Sequence, residues 1–121
     1  MQPKTIKIDN IEYVRSDMIS SEAPKVDGMK CVMIRTYSAG VHFGYLKSHD
    51  GKQVELIKSR RVWSWSGACS LSQLSIDGSN DIANCKIAIE LPSIVLTEAI
   101  EIIPMSQKSI DNLSGAKEWK K

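Results

Sequence analysis

At 121 residues, 42% of them hydrophobic and 25% charged, the chain has the composition of one globular domain and little room for a second. A net charge of +2 is too small for the strongly basic face of a duplex-DNA binder, though a few local cations suffice for a small anionic ligand. No run approaches the roughly 20 apolar residues of a membrane span, and Cys31, Cys69 and Cys85, odd in number and without a C-x-x-C pair, argue against a disulfide framework or zinc ribbon.

Met1 to Asn10 alternates charged and apolar residues and lacks the long apolar stretch of a signal peptide. Thr5 to Ile8 and Ile11 to Val14 read as short strands around the turn-prone Asp9-Asn10. Ser20 to Gly28, with Pro24, Asp27 and Gly28, reads as a loop that sets apart a small N-terminal arm, residues 1–28. Met29 to Thr36 is a β-rich run in which Cys31, Val32, Met33 and Ile34 are continuous, the pattern of a strand buried on both faces. Tyr37 to Gly40 breaks it. Val41, Phe43 and Tyr45 then alternate with His42 and Gly44, which predicts a strand with one apolar face.

His49-Asp50-Gly51-Lys52 predicts a hairpin turn, because Asp-Gly tolerates positive φ. Gln53 to Lys58 returns as the partner strand, with Val54 and Leu56 facing in. Val62 to Trp65 reads as a further strand. Ser66 is placed to cap a short helix over Ala68 to Leu74, with Leu71 and Leu74 toward the core. Asp77 to Asn84 reads as a polar loop. Lys86 to Leu91 and Ile94 to Ile103 are β-rich and split by Pro92. Ser106 is placed to cap a last helix through Leu113, stopped by Gly115. The charged tail, Ala116 to Lys121, is expected to fray unless Trp119 pins it. The fold expected is mainly β within the α+β class. It is an antiparallel sheet or small barrel-like body over residues 29–105, with one or two short helices and a C-terminal helix and tail in residues 106–121.

Arginine is the sharpest chemical signal. Of sixteen basic residues only four are arginine: Arg15, Arg35, Arg60 and Arg61. A guanidinium grips phosphate or carboxylate in a fixed two-pronged geometry that lysine lacks. Arg35, Tyr37, Ser38 and His42 fall in residues 35–44, where Ser38, Ala39 and Gly40 are small enough for backbone N–H groups to approach a ligand. A strained strand-to-strand turn accounts for the same residues equally well.

Arg60, Arg61, Trp63, Trp65 and Ser66 fall in residues 59–74. On a regular strand Arg61, Trp63 and Trp65 share one face, and Arg60, Val62 and Ser64 the other. A tryptophan face with an arginine at its end stacks a base and holds its phosphate. The helix start beyond Ser66 favours anions. Burial in the core is the competing, commoner fate of a tryptophan pair. Catalytic constellations are weak. His42 and His49 lack a third metal ligand, Cys69 has no histidine tied to it by sequence and is expected to be buried, and Glu98 and Glu101 read as solvated edge charges. No metal or cofactor is expected.

The segments RTYSAGVHFG at 35–44, DGKQVEL at 50–56, RRVWSWSGACSLSQL at 60–74 and VLTEAIEII at 95–103 resemble a family of small uncharacterised bacteriophage proteins. The similarity spans about residues 29 to 105. It implies a phage gene product acting in the cytoplasm of the host cell, a setting that suits free thiols, and it implies no particular activity. The expectation is a non-enzymatic binding protein that sequesters a small nucleotide signal of host immunity, a sponge. The competing expectations are a protein–protein or virion assembly module that uses the same aromatics as an interface, and a nucleotide hydrolase. A homo-oligomer is expected, because edge strands and three tryptophans favour pairing. Neither membrane nor duplex DNA is expected as a partner.

Overall fold

The computed structural model describes residues 23–119. The strands expected at Thr5 to Ile8 and Ile11 to Val14, and Arg15, lie outside the described residues. The alternating and continuous apolar runs become six strands: β1 (Cys31–Thr36), β2 (Val41–Asp50), β3 (Gln53–Ser64), β4 (Lys86–Ile87), β5 (Leu91–Leu96) and β6 (Ala99–Pro104). Two short helices, α1 (Leu71–Asp77) and α2 (Gln107–Ser114), join them, and a 3-10 turn at Ile82–Asn84 leads into β4. Every pairing is antiparallel, in the order β4-β3-β2-β1-β6, and β5 pairs with the first half of β3. This is the mainly β domain with two short helices that the patterning predicts.

β1 explains the architecture. Cys31 and Met33 point into a cluster beneath the helices, with Phe43, Val62, Leu74, Met105 and Leu113. Val32 and Ile34 point the other way, into a second cluster with Val54, Leu56, Leu96 and Ala99. All four are at most 5% exposed, so a strand with core on both faces needs an unbroken apolar run. Fully burying a side chain such as Met33, Ile34, Leu56 or Leu74, each at 0% exposure, stabilises by about 1.5–3 kcal/mol. The sheet curls around the second cluster. Its end is held by the Thr97-Glu98 turn, where Ala99 N–H donates to the Lys52 carbonyl at 2.9 Å and Tyr37 N–H to the Glu98 carbonyl at 3.0 Å.

Several elements depart from the sequence reading. The hairpin loop is Gly51-Lys52, because Asp50 already pairs with Gln53. Gly51 takes φ 61°, the positive φ that a type II′ turn places at its first loop residue. β3 runs unbroken from Gln53 to Ser64 where two strands are expected. A bulge bends it: Lys58 and Ser59 together face Gly44, with Lys58 at φ 53°. The bulge brings Ser59 and Arg60 both inside, at 0% and 5% exposure. Only glycine fits opposite it, since a Cβ on Gly44 would lie 3.0 Å from both the Ile57 carbonyl oxygen and Ser59 Cα. His42, expected on the open face of β2, is buried at 1% exposure, because the curl turns that face inward as well.

Lys86 to Leu91 narrows to the two-residue β4, with Ala88 to Glu90 looped out before β5. Pro92 lies inside β5 rather than between strands; an edge strand tolerates the missing N–H. The run Ile94 to Ile103 divides at Thr97-Glu98 into β5 and β6.

Helix α1 starts later than expected. Ser70, not Ser66, caps it by accepting from Gln73 N–H at 3.1 Å. Gly67 has φ 82°, a left-handed conformation that forbids a helix beginning at Ser66. Leu71 and Leu74 still face the first cluster. Helix α2 behaves as its sequence predicts: Ser106 Oγ accepts from Ser109 N–H at 3.1 Å, and the helix ends at Gly115. Ile110 and Leu113 place α2 in the first cluster, so residues beyond 105 help to build the core.

Candidate functional site

Adjacent residues Arg60 and Arg61 have opposite fates. Arg60 points under the sheet toward the end of α2. Its Nε donates to the Ala88 carbonyl at 2.8 Å, Nη1 to the carbonyls of Leu113, Ser114 and Ala116 at 3.3, 3.2 and 3.0 Å, and Nη2 to that of Ile87 at 3.3 Å. A helix C-terminus presents unpaired carbonyls and a partial negative charge, and Arg60 satisfies both. Burial pulls its pKa down, and the nearby Glu118 and Glu90 oppose that pull. Arg60 is therefore scaffold, contrary to its expected role as a ligand contact. The bulge at Lys58 sends it inside, and a regular alternation cannot anticipate that.

Arg61 lies across from His42 on β2 and turns toward the curl. Its Cζ sits 5.1 Å from the centroid of the Trp63 ring, within cation–π range. Trp63 is 55% exposed. Together His42, Arg61 and Trp63 line a hollow of about 230 Å³ with Ile89, Leu91 and Ile94. The apolar wall comes from β5 and from the looped-out Ala88 to Glu90 segment, which Arg60 holds through Ala88. His42 Nε2–H donates to the Ala39 carbonyl at 2.9 Å, and a carbonyl can only accept, so the proton is on Nε2. Burial lowers the His42 pKa below its ordinary value. The Ala39 hydrogen bond works against this, and the charge of Arg61 adds to it. At neutral pH the groove thus holds one cation, Arg61, beside a neutral imidazole.

The remaining candidate residues lie elsewhere. Arg35 is exposed and pairs with Glu101 at 3.3 Å, both side chains about half exposed; such a surface pair contributes at most about 1 kcal/mol. Tyr37 is 79% exposed and borders a separate shallow hollow with Lys52, Glu98 and Ile100. The Ser38 hydroxyl donates to Glu98 Oε1. The turn at 36–40 uses its polar groups internally: Thr36 Oγ1 donates to the Gly40 carbonyl at 2.7 Å and accepts from Ala39 N–H at 2.9 Å. It does not form an anion cradle. Trp65 packs against the cluster beneath the helices, away from Trp63, because a register shift between Val62 and Ser64 breaks the alternation there. Ser66 donates to Asp81 Oδ2 at 2.9 Å. With Asn84, that bond holds the Asp81 carboxyl below the usual carboxylate range.

A larger hollow of about 410 Å³ lies between α1 and α2, and several of its polar groups bond one another. Asn112 and Ser79 bond each other twice, at 2.8 and 2.9 Å, and Gln73 Oε1 accepts from Cys69 N–H at 2.9 Å. Asp77 and Lys108 line it as well, one charge of each sign, and it offers no exposed aromatic face. The three cysteines are free, with Cys31 and Cys85 buried and Cys69 exposed; the exposure of Cys69 corrects the expectation of burial. Among the described residues, no three His, Cys, Asp or Glu side chains gather in a metal-binding arrangement, and no helix is long and apolar enough to cross a membrane.

Sequence reading missed part of this region. Trp119, expected only to pin the tail, donates its N–H to the Ile87 carbonyl at 2.9 Å. Its ring meets Trp63 edge-on, with centroids 5.9 Å apart and planes at 62°. Lys86 Nζ lies 5.4 Å from the Trp119 ring centroid. Nothing in local spacing links residue 63 to residue 119.

The geometry thus defines a small antiparallel-β domain with an aromatic and cationic groove at one sheet edge. The chain belongs to the family described as a domain of unknown function (DUF6948), whose match covers residues 29–113. No curated protein and no solved structure matches it significantly.

Proposed function

We propose that this protein is a non-enzymatic binding module that holds a small nucleotide in the groove formed by His42, Arg61 and Trp63. The reading is carried by one observation: the Arg61 guanidinium lies over the Trp63 ring at the mouth of an otherwise apolar hollow. A base stacks on the indole or guanidinium plane, while Ile89, Leu91 and Ile94 exclude water from its flanks. The outward N–H groups of Arg61 meet the phosphate in a charge-assisted bond. The ion pairs among the described residues, Arg35–Glu101 and Lys47–Glu55, do not involve Arg61. In the phage setting that the resemblance implies, such a protein acts as a sponge, withdrawing a host nucleotide signal from circulation.

Calorimetry against a panel of linear and cyclic nucleotides, adenosine monophosphate included, tests this. Arg61→Ala should weaken binding ten- to hundredfold, the equivalent of about 1.5–3 kcal/mol for a hydrogen bond to a charged group. Arg61→Lys should not restore it fully, because the two-pronged geometry is lost. Arg35→Ala, remote and paired with Glu101, should bind like the wild type. The reading fails if no nucleotide binds more tightly than roughly 100 μM, too weak for sequestration. Consumption of the nucleotide would replace it with an enzyme.

A second reading has its own support. Trp63, Ile89, Leu91, Val95 and Trp119, each 39–55% exposed, all lie on β3, β4 or β5 or in the segments beside them. Exposed apolar residues gathered at a sheet edge suit a subunit interface. Light scattering at tens of micromolar that gives an oligomer in the wild type and a monomer in Val95→Lys would favour assembly.

A further inference from the structure

The groove does not end at Trp63. Arg61, Trp63, Trp119 and Lys86 form a row in which each member touches the next. The guanidinium lies 5.1 Å from the first ring, the two rings are 5.9 Å apart, and the ammonium lies 5.4 Å from the second ring. Both rings are about half exposed, at 55% and 47%. The row is not a loose tail contact, because Trp119 N–H donates to the Ile87 carbonyl and Glu118 bridges to Ile87 in parallel register. Its two cations stand at opposite ends with two aromatic planes between them. Glu90 and Glu118 oppose the burial-driven fall in the pKa of Arg60.

We infer that the Arg61–Trp63–Trp119–Lys86 row is a two-base platform, and that the ligand it fits is a dinucleotide carrying two stackable bases and at least one phosphate. The inference rests on the nucleotide reading of the groove and extends it to the C-terminal tail. Two exposed indoles give two stacking surfaces, and cations at both ends complement phosphate charge. The net charge of only +2 suits a short anion rather than a long polynucleotide track, which is sustained by many phosphate contacts.

Titration monitored by tryptophan fluorescence, with adenosine monophosphate, 5′-phosphorylated diadenylate and a deoxyadenylate decamer as probes, tests the inference. The diadenylate should bind at least tenfold more tightly than the monophosphate, because a second stacked base contributes on the order of tenfold or more. Trp119→Ala should bring the ratio of diadenylate to monophosphate affinity down to about one, with folding checked by thermal melt. Lys86→Met, which leaves both rings in place, should lower diadenylate affinity alone. If the monophosphate binds and the diadenylate binds no better, the platform is refuted while the groove reading stands. A folded Trp119→Ala variant that keeps the full diadenylate advantage refutes the platform in the same way. If the decamer binds more tightly than the diadenylate beyond its added number of sites, the row is a single-strand track and the dinucleotide assignment is wrong. If none of the three probes binds, the groove reading fails, and the platform with it.

Discussion

Replacing Arg60 by methionine keeps an unbranched stem but shortens the side chain and removes all of its donors. The guanidinium serves five carbonyls: those of Ile87 and Ala88 at the sheet edge, and those of Leu113, Ser114 and Ala116 at the end of α2. Arg60 is only 5% exposed, so these groups are not freely handed back to water. Each buried acceptor left unsatisfied costs about 1–3 kcal/mol. The costs do not add in full, because the Ile87 and Leu113 carbonyls keep the backbone N–H groups of Trp119 and Ala116 as donors. The acceptors that are orphaned therefore put the expected loss at about 2–4 kcal/mol. It is a large share of the roughly 5–15 kcal/mol that holds a domain folded. It should lower the melting temperature by roughly 8–16 °C, at about 4 °C per kcal/mol for a chain of 121 residues. Urea denaturation and a thermal melt read the effect directly, and hydrogen exchange should show the amides around Ala88 and Ala116 losing protection first. Arg60→Lys should fall between, since an ammonium reaches one or two of the carbonyls but lacks the fork. A methionine variant within about 1 kcal/mol of the wild type, well inside the range of ordinary surface substitutions and mild core changes, would refute the view of Arg60 as the pin that joins α2 to the groove wall.

The depressed pKa of His42 sets a pH dependence. Its ordinary value is 6.5 and burial lowers it in the fold, so the unfolded chain takes up the proton first as pH falls. Its contribution to stability should be intact above about pH 6.5 and decline as pH drops toward the folded pKa; urea midpoints from pH 8 to 5.5 should show this, and His42→Gln should flatten the slope. Gly44→Ala should cost about 1–3 kcal/mol by overpacking, because its methyl group meets backbone atoms at 3.0 Å; a denaturation midpoint equal to that of the wild type would show that β2 and β3 can separate freely. Burial pushes the Cys31 thiol up to about 12, and its S–H lies 3.8 Å from Met105 Sδ, while Cys69 is exposed. Brief iodoacetamide treatment of the native protein should therefore alkylate Cys69 and spare Cys31, as read by mass spectrometry, and equal labelling of the two would contradict the packing of β1.

The elements legible from sequence are those whose information is local. An unbroken apolar run at Cys31 to Ile34 can only be buried on both faces. Gly51 marks the hairpin because few other residues take its φ, and Ser106 and Gly115 bracket α2 by capping chemistry alone. The pairing of Arg61 with Trp63 on one face is legible too, because it spans two residues of a strand. What fails to show is whatever depends on a break in the period or on a distant partner. The bulge at Lys58 and Ser59 exists because β3 must bend around β2 at Gly44, and that bend alone decides that Arg60 turns inward. The second register shift beside Trp63 separates Trp65 from the groove for the same reason. Ser66 and Ser70 are chemically equivalent caps, and the left-handed Gly67, packed against Ser79, Asn80 and Asp81, selects Ser70. Trp119 reaches Trp63 across 56 positions of sequence only because β3, β4 and the tail lie side by side. Sequence thus determined which residues could form a cationic aromatic site, through their chemistry and strand period. The tertiary structure decided which of them come together, because strand curvature resets side-chain direction and long-range packing supplies the partners.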